Sequence, residues 1–448
     1  DGNEHKISNL SIESSEMYVG LFGYTKAATI KNLTLENVIV KGNVNGELYI
    51  GALAGYLNSS NIQNIKLIGD NNVIENTGNT TYLYEGGLVG IKYLGNVNSC
   101  DVTVNIKGNP STVGKKIGGL IGESANSISK STAKGKIINN STQDVDENIG
   151  GLVGYSIGNI NTSYSNVNIE SNSQGNIGGL IGSFIGYNAI VEKTYSMGSI
   201  KVNIESGRSN IGGLIGLISC MANSSSKTTE LKNSYSTTNI MASLGNTTSI
   251  VGGIIGCSRH VKISNTYVVG KINTTGNNAK VAGIVSENIG NTTITNPYCA
   301  TEICGVGSYS SDRLLQEMLY KDCYKSWDFT NVWTIDENGG SLPYLRELDK
   351  PSNITKENYD YIKYEGSGTV QDPFVIDTAE KLQNLVNTSG QANYKMTQDI
   401  NMSGVEGFKP IGKNDSKAFQ GIFDGNEHKI SNLSIESSEM YVGLFGYT

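Results

Sequence analysis

The segment Asn176-Ile-Gly-Gly-Leu-Ile-Gly182 is one copy of a marker that returns down most of the chain. Related copies stand at 19–23, 50–55, 86–90, 117–122, 149–154, 211–216 and 251–256, with a decayed version at 281–285. Their central residues are Leu21, Leu53, Leu88, Leu120, Leu152, Leu180, Leu214, Ile254 and Ile284, so the intervals are 32, 35, 32, 32, 28, 34, 40 and 30 residues. A period of this size that tolerates insertions marks a solenoid with one coil per repeat. Stacked coils add without limit, so the 448 residues need not split into several globular domains.

A second register runs inside each repeat. It reads IKNLTLENVI at 30–39, VNSCDVTVNI at 97–106, ISKSTAKGKI at 128–137 and INTSYSNVNI at 160–169. It continues with VEKTYSMGSI at 191–200, LKNSYSTTNI at 231–240, ISNTYVVGKI at 263–272 and ITNPYCATEI at 294–303. Positions four and six carry small or apolar residues (Leu33 and Leu35, Cys100 and Val102, Ser131 and Ala133, Ser163 and Ser165) between variable neighbours, the period-two pattern of a strand. With the Gly-rich strand and a third such as 201–204, each turn of ~33 residues holds about three short strands. The expected fold is all-β: a parallel β-helix with short capping helices. Stacked glycines suit corners where the backbone bends or adopts angles that side chains forbid. A nucleotide-binding glycine loop is the rival reading, but nine copies cannot all cradle phosphates and no helix pattern follows them.

Position five of the inner frame is Thr34, Lys66, Asp101 and Thr132 in early coils, then Tyr164, Tyr195, Tyr235, Tyr267 and Tyr298. The charged early occupants place the column outside. Five tyrosines on successive coils then form either a ladder that stabilises the sheet by same-face pairing or a flat sugar-binding strip. These five are the candidate ligand-binding residues. No catalytic residue, metal site or cofactor is expected: HExxH is absent and the three histidines are His5, His260 and His428. The acidic run Asp144, Asp146 and Glu147 reads as a solvated turn. A net charge of −7 and a pI near 5.2 argue against nucleic acid and anionic membrane as partners. No apolar run of ~18 residues encodes a membrane span, so no membrane contact is expected from this segment. The six cysteines show no CxxC and read mostly as buried small apolar residues, with Cys299 and Cys304 the one close pair.

The period stops at Gly305. Residues 311–320 show one apolar helical face behind Ser311, and Trp327, Trp333 and 342–345 form an aromatic closing segment. The expected division is a body and C-terminal cap over 1–346, a polar linker over 347–358, and the start of a further unit over 359–448. That last part opens with a short helix after Asp377, where Glu380 three residues on resembles a capping box, and strand-like segments follow at 393–402 and 418–423. Residues 424–448 repeat residues 1–25 without a difference. The offset predicts a tandem array with a 423-residue unit, in which neighbouring identical units join head to tail and 359–448 form a separate small lobe past the plug. The insertion at 217–230 is expected to be a removable surface loop.

The sequence from DPF and TAEKLQNL through FQGIFDGNEHKISNLSI to YVGLFG closely resembles the opening of GLUG-motif solenoids. The NSYSTTNI and GGLIG registers and the WDF…VW…LPYL ending resemble the body and end of the same domains, so the resemblance spans nearly the whole chain. Such repeats occur in large bacterial surface and adhesin-like proteins, and beside some immunoglobulin-cleaving zinc metalloproteases. The resemblance implies an extracellular location, on the bacterial surface or secreted, and a rigid stalk with an adhesive role toward a host or environmental glycan or protein. It names no ligand, and without HExxH the protease association does not carry over. The competing expectations are a ligand-free spacer and a carbohydrate-active β-helix enzyme.

Overall fold

A computed structural model of the chain describes residues 1–448 except 110, 142–145, 222–227, 277, 307–311, 413–417 and 439. It divides into two units, Asp1–Thr295 and Asn296–Thr448. Residues 222–227 of the insertion at 217–230 lie outside the described residues.

In the first unit every coil contributes strands to three parallel sheets, so the unit is a parallel β-helix. The strands that lead into each Gly-rich turn form a leading sheet of nine strands, from Tyr18–Val19 to Lys280–Ala282. Those that leave the turn form a trailing sheet of nine, from Phe22–Lys26 to Val285–Ile289. The third, long sheet holds the inner frame and the strand after it, fused in places into single strands such as Ile160–Ser171 and Ile190–Ile204. Equivalent residues pair in register. The inward column of the leading sheet runs Val19, Ile50, Glu85, Ile117, Ile149, Ile177, Ile211 and Val251. Beside it, Leu53, Leu88, Leu120, Leu152, Leu180, Leu214, Ile254 and Ile284 are buried at the turn. Burial of these aliphatic columns supplies the main driving force for stacking.

The glycines serve a closer purpose than bending. A Cβ on Gly87, Gly119, Gly151, Gly179 or Gly213 would strike the carbonyl oxygen of the glycine one coil on, and none of these five has a positive φ. Close backbone approach, rather than a forbidden angle, excludes a side chain here. The left-handed corner lies instead at position three of the inner frame. Asn32, Asn64, Ser99, Lys130, Thr162, Lys193, Asn233, Asn265 and Asn296 all have φ between 45° and 56°. Asparagine tolerates that region best among residues with side chains. Its amides also stack: Asn64 Nδ2 donates to Asn32 Oδ1 at 3.0 Å and Asn265 Nδ2 to Asn233 Oδ1 at 3.1 Å.

The second unit begins with the aromatic closing segment. Trp327 and Trp333 pack with centroids 4.4 Å apart, and the strand Trp333–Thr334 pairs antiparallel with Tyr344–Leu345. The helix expected over 311–320 is a single turn, Leu315–Met318, because Asp312–Arg313 is extended. Residues 359–448 form no lobe of their own: Leu314 shares one core with Phe374, Ile376, Leu382, Tyr394 and Phe419. The Glu317 carboxylate ties the two stretches together, accepting from the Leu314 amide at 2.8 Å, Thr388 Oγ1 at 2.8 Å and the Tyr394 hydroxyl at 3.0 Å. A buried carboxylate bonded from both sides cannot be left at the rim of one lobe. The helix Ala379–Asn384 is capped by Thr378, whose hydroxyl accepts from the Lys381 amide, while Asp377 pairs with Lys381 Nζ at 2.8 Å. Of the six cysteines all but Cys323 are buried.

Candidate functional site

The tyrosine column expected on the outside is present as a ladder but is buried. Tyr164, Tyr195, Tyr235 and Tyr267 stack face to face with centroids 4.5, 4.9 and 4.7 Å apart. Their exposure is at most 9 %, and Tyr298 is covered edge-on by Tyr324 and Trp327 in the second unit. Alternation does put Tyr164 on the opposite pleat face from Ser165, whose hydroxyl donates inward to the Gly179 carbonyl. Rings stacked this closely hide one another's faces, so no open strip for a sugar exists in this column.

A partly exposed aromatic surface lies elsewhere, flanking the Gly-rich turn in the early coils, with Tyr24 exposed, Tyr18, Tyr56 and Tyr84 half-buried and Tyr49 buried. The leading sheet places Tyr18, Tyr49, Tyr84 and Lys116 in one column, and the trailing sheet places Tyr24, Tyr56, Ile91, Glu123 and Tyr155 in another. Parallel register turns one recurrent local pattern, a tyrosine on each side of a short Gly-rich turn, into two adjoining ladders. Tyr49 and Tyr84 stack at 4.8 Å, Tyr24 and Tyr56 at 5.2 Å. The ladders meet edge-to-face, with Tyr18 5.4 Å from Tyr24 and Tyr49 5.6 Å from Tyr56. Tyr24 is 47 % exposed, and Phe22, Tyr82 and Tyr93 extend the apolar surface nearby in sequence.

Polar groups rim this corner. Lys116 Nζ lies 5.2 Å from the Tyr84 ring and 4.5 Å from the Tyr155 ring while bonded to Glu123 at 2.6 Å. The Tyr49 hydroxyl donates to Glu47 at 2.6 Å, and Asn58 Nδ2 donates to the Tyr24 hydroxyl at 2.8 Å. Burial pushes the Tyr84 hydroxyl up to about 12 and that of Tyr56 in the same direction, so both remain neutral donors near pH 7. Aromatic rings with neutral hydroxyls, one amide and an ion pair suit a polyhydroxylated ligand: the exposed edge of the ladders, led by Tyr24, takes its C–H groups and the rim takes its hydroxyls. The signal in the sequence is the tyrosine pairs at 18/24 and 49/56, which bracket the marker itself and fall outside the inner frame.

The acidic run at 144–147 departs from a solvated turn. Asp144 lies outside the described residues, but Glu147 is fully buried and pairs with buried Lys115 at 3.3 Å. Asn139 bridges the two, accepting from Lys115 at 2.8 Å and donating to Glu147 at 2.6 Å. Register explains it: Lys115 and Glu147 continue the interior column begun by Leu48 and Leu83. Among the described residues no group of three or more potential ligands could hold a metal ion.

No family model matches the chain, and no solved structure matches it at a significant level. It is similar to halomucin of Haloquadratum walsbyi, 42 % identical over 96 residues, which is 18 % of this chain and 1 % of halomucin. It is also similar to a putative Gly-rich membrane protein of Evansella cellulosilytica, 35 % identical over 88 residues, 18 % of this chain and 10 % of that protein. The chain thus spans a small part of the length of the relatives it matches. No helix among the described residues is long and apolar enough to cross a membrane.

Proposed function

We propose that the chain is part of an extracellular surface stalk whose tyrosine corner, formed by Tyr18, Tyr24, Tyr49, Tyr56 and Tyr84, binds glycans. The double ladder of the early coils, open at half-exposed Tyr24 and partly at Tyr18, Tyr56 and Tyr84, carries this reading, because stacked coils hold its rings at fixed spacing against an extended polymer. The β-solenoid, the partial likeness to a mucin-named and a membrane-named protein, and the resemblance to GLUG-motif repeats of bacterial surface proteins support the location. We assign the corner no catalytic step. Its carboxylates Glu47 and Glu123 are engaged by Tyr49 and Lys116, whereas glycoside cleavage needs two carboxyl groups held across one bond.

The test is a glycan array probed with the intact chain. Tyr24→Ala and Tyr56→Ala are expected to lower binding tenfold or more while the thermal melt changes little. Tyr235→Ala, in the buried ladder, is expected to destabilise the fold by about 3–5 kcal/mol yet leave glycan affinity unchanged at a temperature where the chain is folded. An array with no bound glycan would favour a plain spacer. Bound polysaccharide should be recovered uncut, with or without added divalent metal; shortened product would reverse the assignment of no catalysis.

A further inference from the structure

The interior of the first unit brings an amine, an amide and a carboxyl group together. Lys115 lies in the strand Ser111–Gly118, Asn139 ends the strand Thr132–Asn139 of the same coil, and Glu147 lies in Asp146–Gly150 of the next. All three are at most 1 % exposed. Lys115 Nζ lies 2.8 Å from Asn139 Oδ1 and 3.3 Å from Glu147 Oε1, while Glu147 Oε2 accepts from Asn139 Nδ2 at 2.6 Å. One carboxyl group therefore touches both the amine and the amide nitrogen. Ser171 and Ser173 accept from the same amide nitrogen at 3.2 and 2.7 Å, which holds the amide plane in place.

Burial pushes the Lys115 amine down and the Glu147 carboxyl up from their ordinary values. A proton passed from the amine to the carboxyl along their contact leaves both neutral, and a neutral amine is a nucleophile where an ammonium is not. The amide carbonyl stands one hydrogen bond from that amine, so no diffusional encounter is needed.

We propose that Lys115 and Asn139 become joined by an isopeptide bond, with Glu147 as general acid and base. Lys115 Nζ gives its lone pair to Asn139 Cγ, and the carbonyl π pair moves onto Oδ1. Glu147 gives its proton to Nδ2 and takes one from Nζ. The Oδ1 pair then returns, the Cγ–Nδ2 bond breaks with its electrons on nitrogen, and ammonia leaves. The carboxyl group ends as it began, and the balance calls for no oxidant or co-reactant. The bond closes residues 115–139, a segment of 25 residues that runs once around the solenoid, into a covalent ring. A coil closed in this way cannot open into extended chain even when its hydrogen bonds to the neighbouring coils part.

The experiment weighs the intact folded chain by mass spectrometry. It should be lighter than its sequence by one ammonia, and trypsin should release a branched peptide in which Lys115 is uncut and joined to Asn139. Lys115→Met and Asn139→Ala chains should keep their full sequence masses. Glu147→Gln preserves the size of the side chain but cannot relay the proton, so that chain, its fold followed by circular dichroism, should also keep its full mass. The mass and branched peptide of the unsubstituted chain decide the bond whether or not a variant folds. A folded unsubstituted chain of full mass, a lost ammonia that maps to any other residue, or a folded Glu147→Gln chain that is still cross-linked would overturn the proposal.

Discussion

Single side chains inside the rod set its dependence on pH. Glu85 occupies a column whose other members are Val and Ile, and burial raises its carboxyl to about 8 from an ordinary 4.5. The folded state thus holds a proton that the unfolded state gives up near pH 4.5, so this group's contribution is full below that pH and is lost as pH rises through about 8. Lys92, fully buried with its amine lowered to about 7, acts in reverse: stability is lost as pH falls from 10.5 through 7. Summed, the contributions of these two groups are smallest between about pH 7 and 8. Glu85→Ile should raise stability at pH 8 by about 3 kcal/mol and change it far less at pH 4, as chemical denaturation at the two pH values would measure. Partnered ions behave differently: the Lys115–Glu147 pair is bridged by Asn139, so removing one member strands the other.

At the scale of the strand and turn, register decides what a residue means. Gly151→Ala would drive a methyl group into the Gly179 carbonyl, one coil away, although its φ suits alanine. The expected cost is about 1–3 kcal/mol in a thermal or denaturant melt, against near-neutrality for alanine at Gly425, where nothing lies within 4 Å of an added Cβ. Much of this level was legible in advance. The Gly-rich marker gave the coil length, and small residues at Ser163 and Ser165 gave the strand phase. What alternation could not tell was coverage: it separates the two faces of a pleat but not an open face from a hidden one. For Tyr164 and Tyr195 alternation left ladder and platform both open, and their burial favours the ladder. The tyrosine corner escaped notice for a related reason, since Tyr24 and Tyr56 bracket the landmark used to set the phase. Glu147 was misplaced because local acidity resembles a turn, while its burial is fixed by Lys115, 32 residues earlier in the stack.

Over the second unit as a whole, Leu314 and Tyr320 of the cap share one core with residues 359–448, so the sequence boundary at 347–358 does not mark a gap between bodies. Linker-like composition at Pro351 reported a lack of strand, not a lack of contact; Ile354 is buried and its carbonyl accepts from the Leu342 amide at 2.8 Å. In the first unit, strands run around the rod and their hydrogen bonds run along it. A tensile load between the ends of such a stalk falls on the bonds between neighbouring coils one rung at a time, an unzipping geometry that yields at low force. Each coil that peels away releases ~100 Å of slack for its ~32 residues. The stalk would therefore behave less as a rigid tether than as a shock absorber, paying out chain coil by coil under load while the coils still stacked keep their grip.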